Sequence, residues 1–144
     1  MKKKFGIAIL LSLIIMQFFQ IEKTNPDSNL EQDFLRINDA PQEISKLFKD
    51  ACYDCHSHET RYPWYTSVAP ISFWIKSHIN GGRQQLNYSI WSKYPEDKKS
   101  HKIEETIEMI EEKSMPLTSY IIGHPEARIS ESERAKMVQW LKEL

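Results

Sequence analysis

The pentapeptide Cys52-Tyr53-Asp54-Cys55-His56 constrains this 144-residue chain more than any other feature. It holds the only two cysteines, three positions apart, with a histidine directly after them. Thiols at that separation lie about one helical turn from each other and face the same side. C-x-x-C-H is the spacing at which a polypeptide forms two thioethers to one edge of a haem and offers the following imidazole to the iron. A redox-active cysteine pair would want a βαβ pattern around it, and no run of β-branched residues flanks this one. A closed zinc site needs four ligands, and beyond this motif the histidines at 58, 78, 101 and 124 stand singly, with no second Cys/His pair. The expectation is one covalently bound haem c, held by Cys52 and Cys55, with His56 as the proximal iron ligand.

The N-terminus agrees with that chemistry. Lys2, Lys3 and Lys4 precede an apolar run from Phe5 to Phe19, the basic and hydrophobic regions of an export signal. No small-x-small cleavage site follows in Gln17-Phe18-Phe19-Gln20-Ile21-Glu22-Lys23, and the run through Ile21 nears the ~17 residues of a spanning helix. The expected arrangement is an uncleaved signal anchor over residues 1–21 in the bacterial inner membrane. The lysines then stay cytoplasmic and the rest lies on the periplasmic side. A cleaved, soluble periplasmic form is the alternative. Residues 22–38 read as a polar tether and 39–144 as a single haem-binding domain. The formal net charge of −1, with no basic stripe carrying interleaved aromatics, excludes nucleic acid as a partner.

Within 39–144 the pattern is all-α. Asp39-Ala40-Pro41-Gln42 reads as a capping box opening a helix whose apolar stripe, Ile44, Leu47, Phe48, Ala51, Cys52 and Cys55, carries the haem anchor. Arg61-Tyr62-Pro63-Trp64-Tyr65 reads as an aromatic loop, fit either to wall a flat cofactor or to pack in the core. A second helix starts at Pro70 and carries Ile71, Trp74, Ile75 and His78, with Gly81-Gly82 as its stop. A third runs from about Pro95 to Lys113, and a last one opens at the capping box Ser130-Glu131-Ser132-Glu133. Met115, set outside the helical stripes and before Pro116, is the expected distal iron ligand, with His78 the rival; Arg61 and Arg83 are candidates to pair haem propionates.

Cys52-Tyr53-Asp54-Cys55-His56-Ser57, the aromatic loop, His78-Ile79-Asn80-Gly81-Gly82-Arg83, Met115-Pro116-Leu117 and His124-Pro125-Glu126-Ala127 together resemble a bacterial haem-binding domain family of the cytochrome c type. The resemblance implies a small cytochrome c-like fold in which the anchor helix and the C-terminal helix cross beside the haem. The function expected is an exported c-type cytochrome that passes single electrons between redox partner proteins, an electron carrier rather than a catalyst. A gas or redox sensor, or a peroxidase-like protein, is the alternative should the sixth position be open.

Overall fold

The computed structural model describes residues 2–144, and every regular element among them is helical. In chain order these are α1 (Lys2–Met16), α2 (Phe34–Ile37), α3 (Gln42–Ala51), α4 (Tyr53–His56), α5 (Ile71–Gln85), α6 (Glu96–Glu111), α7 (Thr118–Gly123) and α8 (Glu131–Lys142). Short 3-10 turns at Leu30–Gln32, Trp64–Ser67, Tyr88–Lys93 and Pro125–Ala127 fill the connections.

An aromatic cluster organises the core, and its centre comes from the segment expected to be a tether. Phe34 is 1% exposed, with its ring 4.7 to 5.6 Å from those of Trp91, Tyr88, Trp140 and Phe48. Asp33 fixes this entry. Its Oδ1 accepts the Leu35 and Arg36 amides at 3.0 and 3.3 Å, capping α2, and its carboxylate also accepts the Tyr53 hydroxyl at 2.9 Å. Upstream, Asn25 donates to the Thr60 carbonyl at 2.9 Å and accepts from Arg83 at 2.9 Å. Residues 25–38 are therefore strapped along the folded unit. One four-residue helix is too short to show a hydrophobic period, so composition alone made the segment look like a linker.

The N-terminal helix is shorter than the anchor expected over residues 1–21. After Lys2-Lys3-Lys4 it is apolar all round and ends at Met16, so the twelve residues Phe5–Met16 span about 18 Å against a hydrocarbon core of about 30 Å. Among the described residues no helix is long and apolar enough to cross a membrane. The helix gives way where the Gln17 side chain turns to the protein: its amide donates to the Ala69 carbonyl at 2.9 Å and its oxygen accepts the Ala69 amide at 3.1 Å.

Three further expectations shift. The capping box at Asp39–Gln42 is not formed: α3 is capped by Pro41 without a side-chain bond, and Asp39 sits in the left-handed region at φ 46°. The anchor helix is not continuous, because Cys52 leaves helical geometry (φ −124°, ψ −39°) and α4 starts afresh at Tyr53. Gly81-Gly82 do not stop α5, which continues to Gln85. The last helix agrees with its signal: the Ser130 amide donates to Glu133 at 2.8 Å and Ser130 Oγ accepts the Glu133 amide at 3.3 Å.

Candidate functional site

The site is built where α4 crosses α5. Gly82 makes that crossing, for a Cβ there would stand 2.5 Å from the Cys55 carbonyl oxygen and 3.0 Å from its carbon. Close approach, rather than termination, is the reason for the glycine. It brings the end of α5 under the motif, so that His56 Nδ1 lies 3.1 Å from the Leu86 carbonyl. A carbonyl only accepts, so Nδ1 carries the proton and the Nε2 lone pair is left for another partner. Burial holds the His56 pKa below the usual imidazole range, which keeps the ring neutral. A neutral, oriented imidazole with its second nitrogen tied to a backbone carbonyl is the form in which histidine binds metal.

Burial also pushes the thiols up, Cys52 to about 12 with the neighbouring Cys55 adding to it, and Cys55 to about 11 with Asp54 adding to it. Such thiols stay protonated at neutral pH, the reverse of the lowered pKa that a thiol–disulfide exchange site requires.

Cys52, Cys55 and His56 form part of the wall of a cavity of about 560 Å³. His78, Gly81 and Gly82 of α5, Thr106, Met109 and Ile110 of α6, and Met115, Pro116 and Leu117 from the following loop supply much of the rest, with Tyr88 and Tyr120. The structure thus brings together the five residues expected as haem anchors or iron ligands: Cys52, Cys55, His56, Met115 and His78. Met109 sets a second thioether in the same wall.

The Met115 loop is held by bonds that no motif announced. Lys113, in the left-handed region at φ 60°, ends α6, and the Met115 amide donates to the Met109 carbonyl at 3.2 Å. From α8, Arg134 Nη1 donates to the carbonyls of Ile110 at 3.0 Å and Met115 at 3.2 Å. The sequence offers one hint of it, a cation near the N-terminal end of a helix, where the helix dipole disfavours positive charge. His78 donates through Nδ1 to the Trp74 carbonyl at 2.9 Å and leaves Nε2 free. It stands between this cavity and a second one of about 270 Å³ that also shares Cys55, Leu117 and Tyr120.

Arg61 and Arg83 are engaged by protein groups and do not line the larger cavity. Arg61 grips both carboxylate oxygens of Asp54, and Tyr120 donates its hydroxyl to Asp54 Oδ2 at 2.6 Å. Arg83 donates to the Ser57 carbonyl at 2.7 Å and to Thr60 and Asn25 at 2.9 Å. Both arginines fix the chain around and after His56. Asp54, buried inside the motif, is the hinge of this network, and its position between the cysteines gave no sign of that in the sequence.

The haem-binding domain model matches residues 11–143. The chain belongs to the haem-binding domain family. No curated protein and no solved structure matches it. Haem is therefore the cofactor of this domain, and the residues present fit it. The cavity volume falls in the ~300–1,000 Å³ range of cofactor sites, the wall surface is mostly apolar, and it carries the imidazoles of His56 and His78, the two thiols and the thioethers of Met109 and Met115. Among the described residues no group of three or more His, Cys, Asp or Glu could hold a bare metal ion.

Proposed function

We propose that this haem-binding domain is an exported, membrane-associated c-type cytochrome that carries single electrons between protein partners. The observation that carries the reading is the convergence on one cavity of the two motif thiols, His56 with Nε2 left free, and Met115 on a pinned loop. Cys52 and Cys55 would hold the haem edge as thioethers, His56 would be the proximal ligand and Met115 the distal one. Iron held from both sides supplies one-electron exchange without bond-making. The protein's part is to orient: Leu86 sets the His56 tautomer, Gly82 admits α5 against the motif, Asp54 with Arg61 and Tyr120 fixes the motif to α7, and Arg134 holds the Met115 loop. The basic cluster Lys2-Lys3-Lys4 and the apolar α1 support export and membrane association, with the haem cavity on the periplasmic side.

Absorption spectra of the purified protein in both oxidation states, with and without carbon monoxide, test the assignment. Covalent haem survives denaturation and adds its mass to the chain, and each of Cys52→Ala and Cys55→Ala weakens attachment. Wild-type ferrous protein takes up carbon monoxide slowly, whereas Met115→Ala takes it up readily and loses the thioether-to-ferric band. If His78→Ala or Met109→Ala alters the spectrum and Met115→Ala does not, the distal ligand is the other residue. Rapid carbon monoxide uptake by the wild type would move the reading to a sensor or peroxidase with an open sixth position, and His78, with its free Nε2 at the cavity wall, is the side chain that favours it.

A further inference from the structure

A second set of apolar side chains stands in solvent, and its middle is bonded to the residue that follows α1. Trp64 is 79% exposed and Ile122 80%, and Val68, Ile71, Phe73 and Trp74 are exposed beside them in the chain or around the second cavity. Gln17 bonds both polar groups of the Ala69 backbone, which fixes the end of α1 in the middle of the Trp64–Trp74 stretch. Phe18 and Phe19, immediately after α1, are exposed as well. Ile71, Trp74 and Ile122 all line the 270 Å³ cavity, which draws Ile122 into the same surface. Two ammonium groups border the junction: Lys23 bonds the Ser67 hydroxyl, and Lys76 donates to the Glu22 carbonyl at 3.0 Å.

We infer that the face formed by Trp64, Val68, Ile71, Phe73, Trp74 and Ile122 is a membrane-docking surface, lying in the interfacial layer of a phospholipid bilayer with α1 inserted beside it. The inference rests on the proposed membrane association and adds the orientation of the haem domain to it. Scattered apolar residues are ordinary, but five exposed ones within the eleven residues Trp64–Trp74, two of them sharing a cavity rim with Ile122, are a concentration that marks an interaction site. The occupant follows from α1: it has no polar face and exposes its apolar side chains all round, so only a lipid phase covers it, and the patch is bonded to its end. Tryptophan is enriched at the boundary of hydrocarbon and water, and lysine stems reach from there into the headgroups. The length of α1 points the same way. Its apolar part is about 12 Å short of a hydrocarbon core, and such a shortfall is met by drawing flanking groups into the boundary, here Phe18, Phe19 and the patch.

The test is photocrosslinking of the full-length, haem-loaded protein in phosphatidylethanolamine–phosphatidylglycerol vesicles whose lipids carry a diazirine near the glycerol backbone, read by mass spectrometry. Lipid adducts are expected on the segments around Trp64–Trp74 and Ile122 at several-fold the yield on α8, and Trp64→Ser with Val68→Ser, neither of which lines the haem cavity, should abolish most of the first set while leaving the haem spectrum unchanged. Ile122→Ser repeats the measurement at a single exposed site. Adducts confined to residues 2–21 would overturn the docking surface and leave membrane association standing. A protein that fails to co-sediment with the vesicles at all would overturn both.

Discussion

Gly82→Ala is the substitution that tests how the site is built, and Gly81→Ala is its internal control. Both glycines lie in α5, one residue apart, at ordinary helical backbone angles. A Cβ at position 81 meets nothing within 4 Å, so Gly81→Ala should show only the gain in helix propensity, about 1 kcal/mol. A Cβ at position 82 falls 2.5 Å from the Cys55 carbonyl oxygen, 3.0 Å from its carbon and 3.2 Å from its Cβ. Two of those atoms are backbone and cannot rotate away, so α4 and α5 must part. Overpacking of this kind costs about 3 kcal/mol at the upper end of its usual range. Set against the same propensity gain of about 1 kcal/mol, Gly82→Ala should lose about 2 kcal/mol, placing the two variants about 3 kcal/mol apart. Urea unfolding followed by circular dichroism measures this, and the ratio of haem absorbance to protein mass measures the consequence for the site. Stability is the readout that separates the two variants, because Gly81 also lines the haem cavity and a methyl there faces the cofactor; haem content should fall in Gly82→Ala because the atoms displaced belong to Cys55. Equal stability and equal haem content in the two variants would refute the account of Gly82 as the contact that admits α5.

Arg134→Met removes the donor shared by the Ile110 and Met115 carbonyls; stability should drop by about 2 kcal/mol, and carbon monoxide uptake by the ferrous protein should quicken relative to wild type. Unchanged unfolding and uptake would show that the loop holds without it. Burial raises the Asp33 pKa in the folded protein, so the native state holds a proton that the unfolded chain releases. The contribution of Asp33 is accordingly fully present below its unfolded value of 3.8 and is lost as pH rises through the higher folded value. Asp33→Asn keeps an oxygen for the Leu35 amide and the Tyr53 hydroxyl and should flatten this limb of the stability–pH curve, whereas superimposable curves for wild type and variant would contradict it.

How much of this was legible in the sequence depended on whether a residue acts through local spacing or through contacts between distant segments. Cys52, Cys55 and His56 stand out because their spacing is that of covalent haem attachment, and the structure sets all three in one cavity wall; the reciprocal cap of Ser130 and Glu133 spans a single turn. Met115 could be singled out because Pro116 breaks the period around it, and the structure sets it in the cavity wall. Gly81-Gly82 were misread because glycine serves both as a stop and as a point of close approach, and only the path of α4 distinguishes the two. Asp54, Arg83 and Arg134 work through partners up to 66 residues away, and no window along the chain contains such pairs. Phe34 was missed because a lone aromatic in a polar stretch has no period, although it becomes the centre of the core.

The strap over residues 22–38 sets how far the haem domain can reach. A flexible leash of that length would let a carrier sweep a hemisphere roughly 20 Å in radius and meet its partners in many poses. Here Asn25 is bonded to Thr60 and Arg83, Asp33 to Tyr53, and Phe34 is buried, so the end of α1 and the haem cavity keep a fixed separation. On a membrane such a molecule searches in two dimensions with one face always turned outward. In the proposed role, electron donors and acceptors would have to be matched to that single pose, diffusing in the same plane or presenting their own redox centre at the same height above it.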